Sequence, residues 1–285
     1  MRPVPLFAEH ATRLARHSLP YRDPVARVNW DRLSHAMFWL PEAAVSLAGV
    51  REYDALPLAT RQRLSHYEFA HFLDTGIWLE GLFLERLARS ARQEGRAARI
   101  YQLHELREEA GHSLMFLEFL KRARLEAQWD YEEDRVLTVL GRRLPFGSTL
   151  FWGAILLGEE VPDRLNRYIR LHAQGICPVT VELSVLHSTD EARHIAYGRE
   201  VLKRRLGATN ALSRRLLAHT LKSLLARFVR AFYYPPASLY RAAGLPEGPW
   251  RARAAASADR HRFVAHCLAP TVTRLRALGL PLTFP

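Results

Sequence analysis

Cysteine is scarce in this chain: Cys177 and Cys267 are the only two, and they stand far apart. Two cysteines without a CxxC pair exclude a disulfide-stapled secreted scaffold and a thiolate zinc knuckle, and they fit a reducing, cytoplasmic setting. Long apolar runs are missing as well. No stretch reaches the ~18 residues of a membrane-spanning helix, and the opening MRPVPLFAEHATRLARH lacks the ~7–15-residue apolar core of a secretory signal. Neither export nor a membrane anchor is expected. Strand-length alternation of apolar and polar residues is not found, which removes sheet architectures. Acids are in short supply, 29 Asp+Glu against 41 Lys+Arg, for a net charge of +12.

The surplus of base concentrates in residues 199–230, REVLKRRLGATNALSRRLLAHTLKSLLARFVR, where Glu200 is the single acid and apolar residues recur at helical spacing. One reading is a solvated helix face. The other is a docking surface for an acidic redox or carrier protein. No zinc finger or other nucleic-acid motif accompanies the charge, so nucleic acid is not an expected partner.

With 285 residues and 48% apolar content, the chain can bury the core of one large domain. Helical periodicity predicts an all-α fold. Long helices are expected over about 58–94 with Gly95 as a stop, 96–125, 147–172 and from the Cys177-Pro178 start to about Leu206, with a shorter piece near 131–144. Four long helices with one long connection make a four-helix bundle. A further helix follows over 210–234, then a break at Pro235 and Pro236 and a last helix over about 250–278. The expected organisation is a single domain over 1–285: an N-terminal wrap (1–57) with one or two short helices, the bundle (58–234) and a C-terminal helical extension (235–285).

Two stretches read almost as copies, EEAGH at Glu108–His112 and DEARH at Asp190–His194. Each contains Glu-x-x-His, and residues three apart share a helix face. A dinuclear carboxylate centre in a bundle needs such a pair from each of two helices and one Glu from each of the other two. The other long helices supply candidates: Glu80 in GIWLEGLFL, and Glu159 or Glu160 in ILLGEEVPD, apolar settings where an isolated carboxylate is costly. Pro162, just beyond, should distort its helix.

About one Glu-x-x-His is expected by chance at this composition, so the motif alone says little. Indeed a third copy, Glu68 to His71, lies ~18 Å along the helix before Glu80 and is read as structural. The other two gain weight from order: Glu, Glu-x-x-His, Glu, Glu-x-x-His, one set per predicted helix. His187 adds to this, standing four residues before Glu191 and seven before His194 on the same face. It is either a further ligand or an ordinary core histidine. Glu105 occupies the matching position before Glu109, so the two copies differ there. Asp190 and Glu108, each just before a ligand Glu, can be outer partners of histidine N–H groups or surface acids. Tyr101, Phe116, Phe151, Trp152 and Tyr197 flank these positions and either line a pocket or belong to the core, the reading preferred for aromatics at helical spacing.

On these residues the chain resembles the di-iron arylamine N-oxygenases, the family of the p-aminobenzoate N-oxygenase of aureothin biosynthesis. The resemblance spans about residues 60–230, and its most specific part is the His-x3-Glu-x-x-His segment. It implies a ferritin-like fold and the ligand set Glu80, Glu109, His112, Glu160, His187, Glu191 and His194, with Glu160 chosen over Glu159 by its spacing to His187. The implied cofactor is two iron ions, with manganese as the other candidate. The implied activity is O2 activation through a peroxo-diferric species, converting an amine, free or carrier-bound, to a hydroxylamine or nitro product in a biosynthetic pathway. An external electron donor and a homodimer are implied with it. The same site would equally serve a hydroxylase or a bond-cleaving oxidase. A ferroxidase, and a basic helical binding protein without enzymatic activity, are the remaining alternatives.

Overall fold

A computed structural model describes residues 4–90 and 95–284. Among them there is no strand, only an isolated bridge between Phe38 and Ile176. The elements are α1 (Val4–Ser18), α2 (Pro24–Arg27), α3 (Arg51–Asp54), α4 (Leu58–Ser90), α5 (Arg96–Ala123), α6 (Arg135–Arg143), α7 (Thr149–Leu171), α8 (Pro178–Gly207), α9 (Ala211–Tyr233), α10 (Ala237–Ala242), α11 (Trp250–Ala256) and α12 (Ala258–Ala277). The fold is an all-α, ferritin-like four-helix bundle with added helices at both ends.

Local chemistry sets the boundaries. Asp134 caps α6 by accepting from the Val136 and Leu137 amides, Ser148 caps α7 through Phe151, and Asn210 caps α9 through Ser213. Pro178 opens α8 at a position where a missing N–H costs nothing. Gly95 caps the start of α5; the expected end of the preceding helix, residues 91–94, lies outside the described residues.

The bundle is two helical hairpins. Helix α4 packs along α5, and α7 packs along α8. The crossover carrying α6 joins them, as a ferritin-like connection must. Helix α9 lies against α7 and α4, and α12 against α7. One buried apolar cluster runs from Ala11 to Leu282. No helix among the described residues is long and apolar enough to cross a membrane.

The ends differ from expectation in two places. The N-terminal segment contains a 15-residue helix, α1, whose Ala11, Leu14, Ala15 and Ser18 are buried while the helix packs on α5 and α8. The Pro and Trp content of residues 1–57 suggested a wrap with short helices, yet a proline in a first turn is tolerated. The last predicted helix is split at Ser257, whose extended backbone (ψ 120°) and side chain cap α12 by accepting from the Arg260 amide. Pro162 does not interrupt α7, which runs through it to Leu171.

Candidate metal centre

Each bundle helix contributes to one buried cluster: Glu80 from α4, Glu105, Glu109 and His112 from α5, Glu159 from α7, and His187, Glu191 and His194 from α8. All are at most 5% exposed. Potential ligand atoms of Glu80, His112 and His187 lie within 4.8 Å of one another, as do those of Glu105, Glu109, Glu159 and His194, and those of Glu109, His112 and Glu191. Two groups at either end thus share the central carboxylates of Glu109 and Glu191. His194 Nδ1 is 3.0 Å from Glu109 and 3.4 Å from Glu191. His187 Nε2 is 3.1 Å from Glu191 and 3.4 Å from Glu80, and His112 Nδ1 is 3.5 Å from Glu191 and 3.6 Å from Glu109.

Six of the seven residues predicted as ligands are therefore brought together. Glu160 is not among them. Its carboxylate turns to the far side of α7, where it accepts from Arg164 (3.0 Å), Thr271 (2.5 Å) and Arg274 (3.1 Å), and its neighbour Glu159 faces the cluster instead. Part of the reason is local: Glu160 and Arg164 are four apart, the spacing of a helical ion pair, whereas the position four after Glu159 is Asp163. On the Glu159 face, seven residues on, comes Asn166, whose amide meets His187 Nδ1 at 2.7 Å.

Glu68 and His71, the third copy, are spent elsewhere as expected. Glu68 accepts from the Ser46 amide and hydroxyl, and His71 Nε2 meets the Ala231 carbonyl.

Each imidazole shows one nitrogen to the cluster and commits the other outside it. His112 Nε2 lies 3.2 Å from Asp190, and His194 Nε2 lies 3.0 Å from Glu108. The two copied stretches are thus crossed: the leading acid of each supports the histidine of the other. Arg193 ties the two acids together, donating to Glu108 at 2.9 Å and Asp190 at 2.5 Å. Ser113 donates to the outer oxygen of Glu80 at 2.6 Å. Asn166, Ser113 and Arg193 were not singled out from sequence. Arg193, one residue before His194 in DEARH, carried a readable signal, since a buried acid pair needs a cation.

The electrostatics are those of a site that gathers cations. Burial and His187 oppose a charge on His112, but Asp190, Glu109 and Glu80 outweigh them and push it up to about 9. Burial likewise opposes charge on His187 and His194, and Glu191 with its neighbours lifts both well above the ordinary range. Burial raises Glu159 well above a normal carboxyl, with Glu191 adding to it, and raises Glu105 to about 8. Burial also works against Glu191, yet His194 and His187 hold it well below its usual value.

A fit to metal can be read from the hydrogen bonding. Glu80 Oε1, both oxygens of Glu109, Glu191 Oε2, His112 Nδ1 and His194 Nδ1 are buried without a hydrogen-bond partner, and all face the cluster. Buried polar atoms are nearly always paired, and a convergent set left unpaired fits cations held by mixed oxygen and nitrogen ligands. Beside the cluster is a cavity of about 20 Å³, room for about one water, walled by Phe72, Leu79, Phe83, Phe116 and Phe232. Phe116 also packs edge-on against His187, with ring centroids 5.2 Å apart. The larger surface groove near Val229, Arg230, Tyr234 and Val264 touches none of the cluster.

Fold and site together define a ferritin-like protein whose core can hold two metal ions between four helices. Residues 8–279 match the family model of the p-aminobenzoate N-oxygenase AurF, and the chain belongs to that family, which is one of di-iron oxygenases. It is also similar to uncharacterized protein MT0908 of Mycobacterium tuberculosis (strain CDC 1551 / Oshkosh) and uncharacterized protein Mb0909 of Mycobacterium bovis (strain ATCC BAA-935 / AF2122/97). Each is 22% identical over 249 residues, covering 81% of this chain and 69% of the relative.

Proposed function

We propose that the chain is a non-haem di-iron oxygenase that N-oxygenates an amine, taking an arylamine to its hydroxylamine or nitro product. The observation that carries this is the convergence of unpaired buried ligand atoms from α4, α5 and α8, with Glu159 of α7 beside them, in a member of an N-oxygenase family. Glu80, His112 and His187 would hold one ion, Glu159 and His194 the other, and Glu109 and Glu191 both. Two iron ions bound there would supply the reduction of O2. The first oxygenation balances as amine, O2, two electrons and two protons giving hydroxylamine and water, so an external electron donor is required. The basic residues at the end of α8 and along α9 suit docking of an acidic redox protein.

The chain's own residues then have definable tasks. Asp190 and Glu108 fix which nitrogen of His112 and His194 faces inward, and Arg193 keeps those acids in place. The phenylalanine wall keeps the surroundings of Glu80 and Glu159 apolar; its cavity of about 20 Å³ holds no more than about one water, so these side chains would have to move to admit an aromatic amine. Regulation of charge is shared: the acids outside the cluster sit against Arg193, so the inner carboxylates are left to the ions.

The test is a parallel screen of iron-loaded protein with a chemical reductant against arylamines, amino acids and fatty acids, using 18O2 and mass spectrometry. Label appearing on nitrogen of an arylamine is expected. Label on carbon of another substrate class, with arylamines untouched, would replace the N-oxygenase reading by a hydroxylase on the same site.

A further inference from the structure

We infer that Glu105 is an additional ligand of the centre, on the ion held by Glu159 and His194, in the place that His187 takes for the other ion. This rests on the two-ion reading above.

The argument begins with the repeat. His187 stands four residues before Glu191 on α8, and Glu105 stands four before Glu109 on α5. The structure makes that spacing spatial. Glu80, His112 and His187 form one group of close ligand atoms, and Glu159, His194 and Glu105 form, with Glu109, its counterpart. Every member of one group has a partner in the other: Glu80 with Glu159, His112 with His194, His187 with Glu105.

The second observation is that Glu105 has no other employment. Its side chain is 4% exposed, and Oε2 is buried with no hydrogen-bond partner. Ionising a buried carboxyl that has no hydrogen bond costs several kcal/mol unless a cation accompanies the charge, and without one the group stays protonated. Elsewhere in this chain that cost is met by basic or hydroxyl groups, as at Glu160 and Glu68. Beside Glu105 stand the ligand atoms of Glu109, Glu159 and His194, and a cation among them would satisfy all four.

The consequence is an unequal centre. One ion receives two imidazoles, from His112 and His187. The other receives one imidazole, from His194, and an extra carboxylate. The carboxylate-rich position is the harder and more anionic of the two, so the ions load with different affinities.

The experiment is a Mn(II) titration of the metal-free full chain, read by calorimetry and by electron paramagnetic resonance, which separates coupled from isolated Mn(II). Wild type, Glu105→Gln and Glu105→Leu are compared. Leucine is included because an apolar side chain at a buried acid position is often neutral or stabilising in the metal-free fold, so this variant folds even if glutamine does not. Wild type is expected to bind two ions in a coupled pair. In both variants one ion should bind as before and the other at least about 10-fold more weakly, leaving isolated Mn(II) when two equivalents are present. Two tightly bound, coupled ions in both variants would overturn the role of Glu105 and leave the two-ion reading intact. A wild type that binds no pair would overturn the two-ion reading itself, and Glu105 with it.

Discussion

Replacing Glu159 and Glu160 one at a time separates two adjacent residues that the fold has sent to opposite tasks. Glu160→Ala removes the acceptor of three hydrogen bonds at a carboxylate 1% exposed. Arg164, 8% exposed in its side chain, is left with Thr271 and an uncompensated charge. Breaking a buried pair in this way costs about 3–5 kcal/mol. Arg274 adds little, since its side chain is 38% exposed and solvent can take over its charge. For a chain of this size each kcal/mol lowers the melting temperature by roughly 2–4 °C, so the metal-free Glu160→Ala variant should melt on the order of 10 °C below wild type while retaining its metal. Glu159→Ala should do the reverse. Burial already disfavours its charge in the metal-free chain, so removal is neutral or stabilising there, but one metal equivalent is lost. The assay is metal content by plasma emission spectrometry beside a calorimetric melt of chelator-treated protein. Loss of metal from Glu160→Ala, with Glu159→Ala keeping both ions, would refute the placement of these side chains and restore Glu160 as the ligand.

Three further outcomes follow from the same contacts. After iron-supplemented expression, Glu109→Ala should lose the iron that wild type carries at about two per chain, whereas Glu68→Ala should keep it; equal iron in all three would remove Glu109 from the centre. Arg193→Met leaves Glu108 and Asp190 facing each other without their shared cation, and both ions should bind about 10–100-fold more weakly, which calorimetric titration would show; unchanged affinity would mean that the crossed acids do not depend on it. Glu68, fully buried, is pushed up to about 7 by burial in spite of Arg260 and Ser46. Its folded value lies above its unfolded one, so the folded chain holds this proton more tightly: the stability that Glu68 contributes is fully present below about pH 4.5 and is lost as pH rises to about 7, by about 3 kcal/mol. Glu68→Gln should flatten that dependence between about pH 5 and pH 8 in melts of metal-free protein, and an unchanged slope would show that another group causes it.

The bundle was legible in the sequence because its helices are long and periodic, with Gly95 marking a break and Cys177-Pro178 a start. Periodicity read over such lengths places whole helices, and the Glu-x-x-His pairs then share a face by geometry alone. What periodicity does not resolve is which of two neighbouring acids turns inward. Glu159 and Glu160 are one residue apart, about 100° around the helix axis, and both are buried. The decision came from a tertiary partner, since α12 brings Thr271 and Arg274 to Glu160. The spacing of Glu160 to Arg164 is a local hint that the choice by spacing to His187 did not take into account. The terminal helices were harder to read because their boundaries rest on single residues, as at Ser257, where one side chain in an extended conformation divides what periodicity shows as continuous.

The near-copy of EEAGH and DEARH is best understood as reciprocal support. A single Glu-x-x-His on one helix can present two ligands but leaves the far nitrogen of its histidine without a partner inside its own stretch. Placing an acid at the head of each copy, and facing the copies across the bundle, lets Glu108 serve His194 and Asp190 serve His112. The acids then need a positive charge between them, and Arg193 is the residue of the second copy that reaches both. The first copy has Gly111 at the corresponding position, where a Cβ would come within 2.5 Å of the Tyr21 hydroxyl. One arginine therefore serves both histidines, and the symmetry that builds the centre is broken where N-terminal residues pack against α5. The same break in likeness, four residues before each central glutamate, gives one side His187 and the other Glu105. Two positions that share every other ligand type are thereby made chemically distinct, and a centre with distinct ends can orient a substrate that a symmetric one would accept either way round.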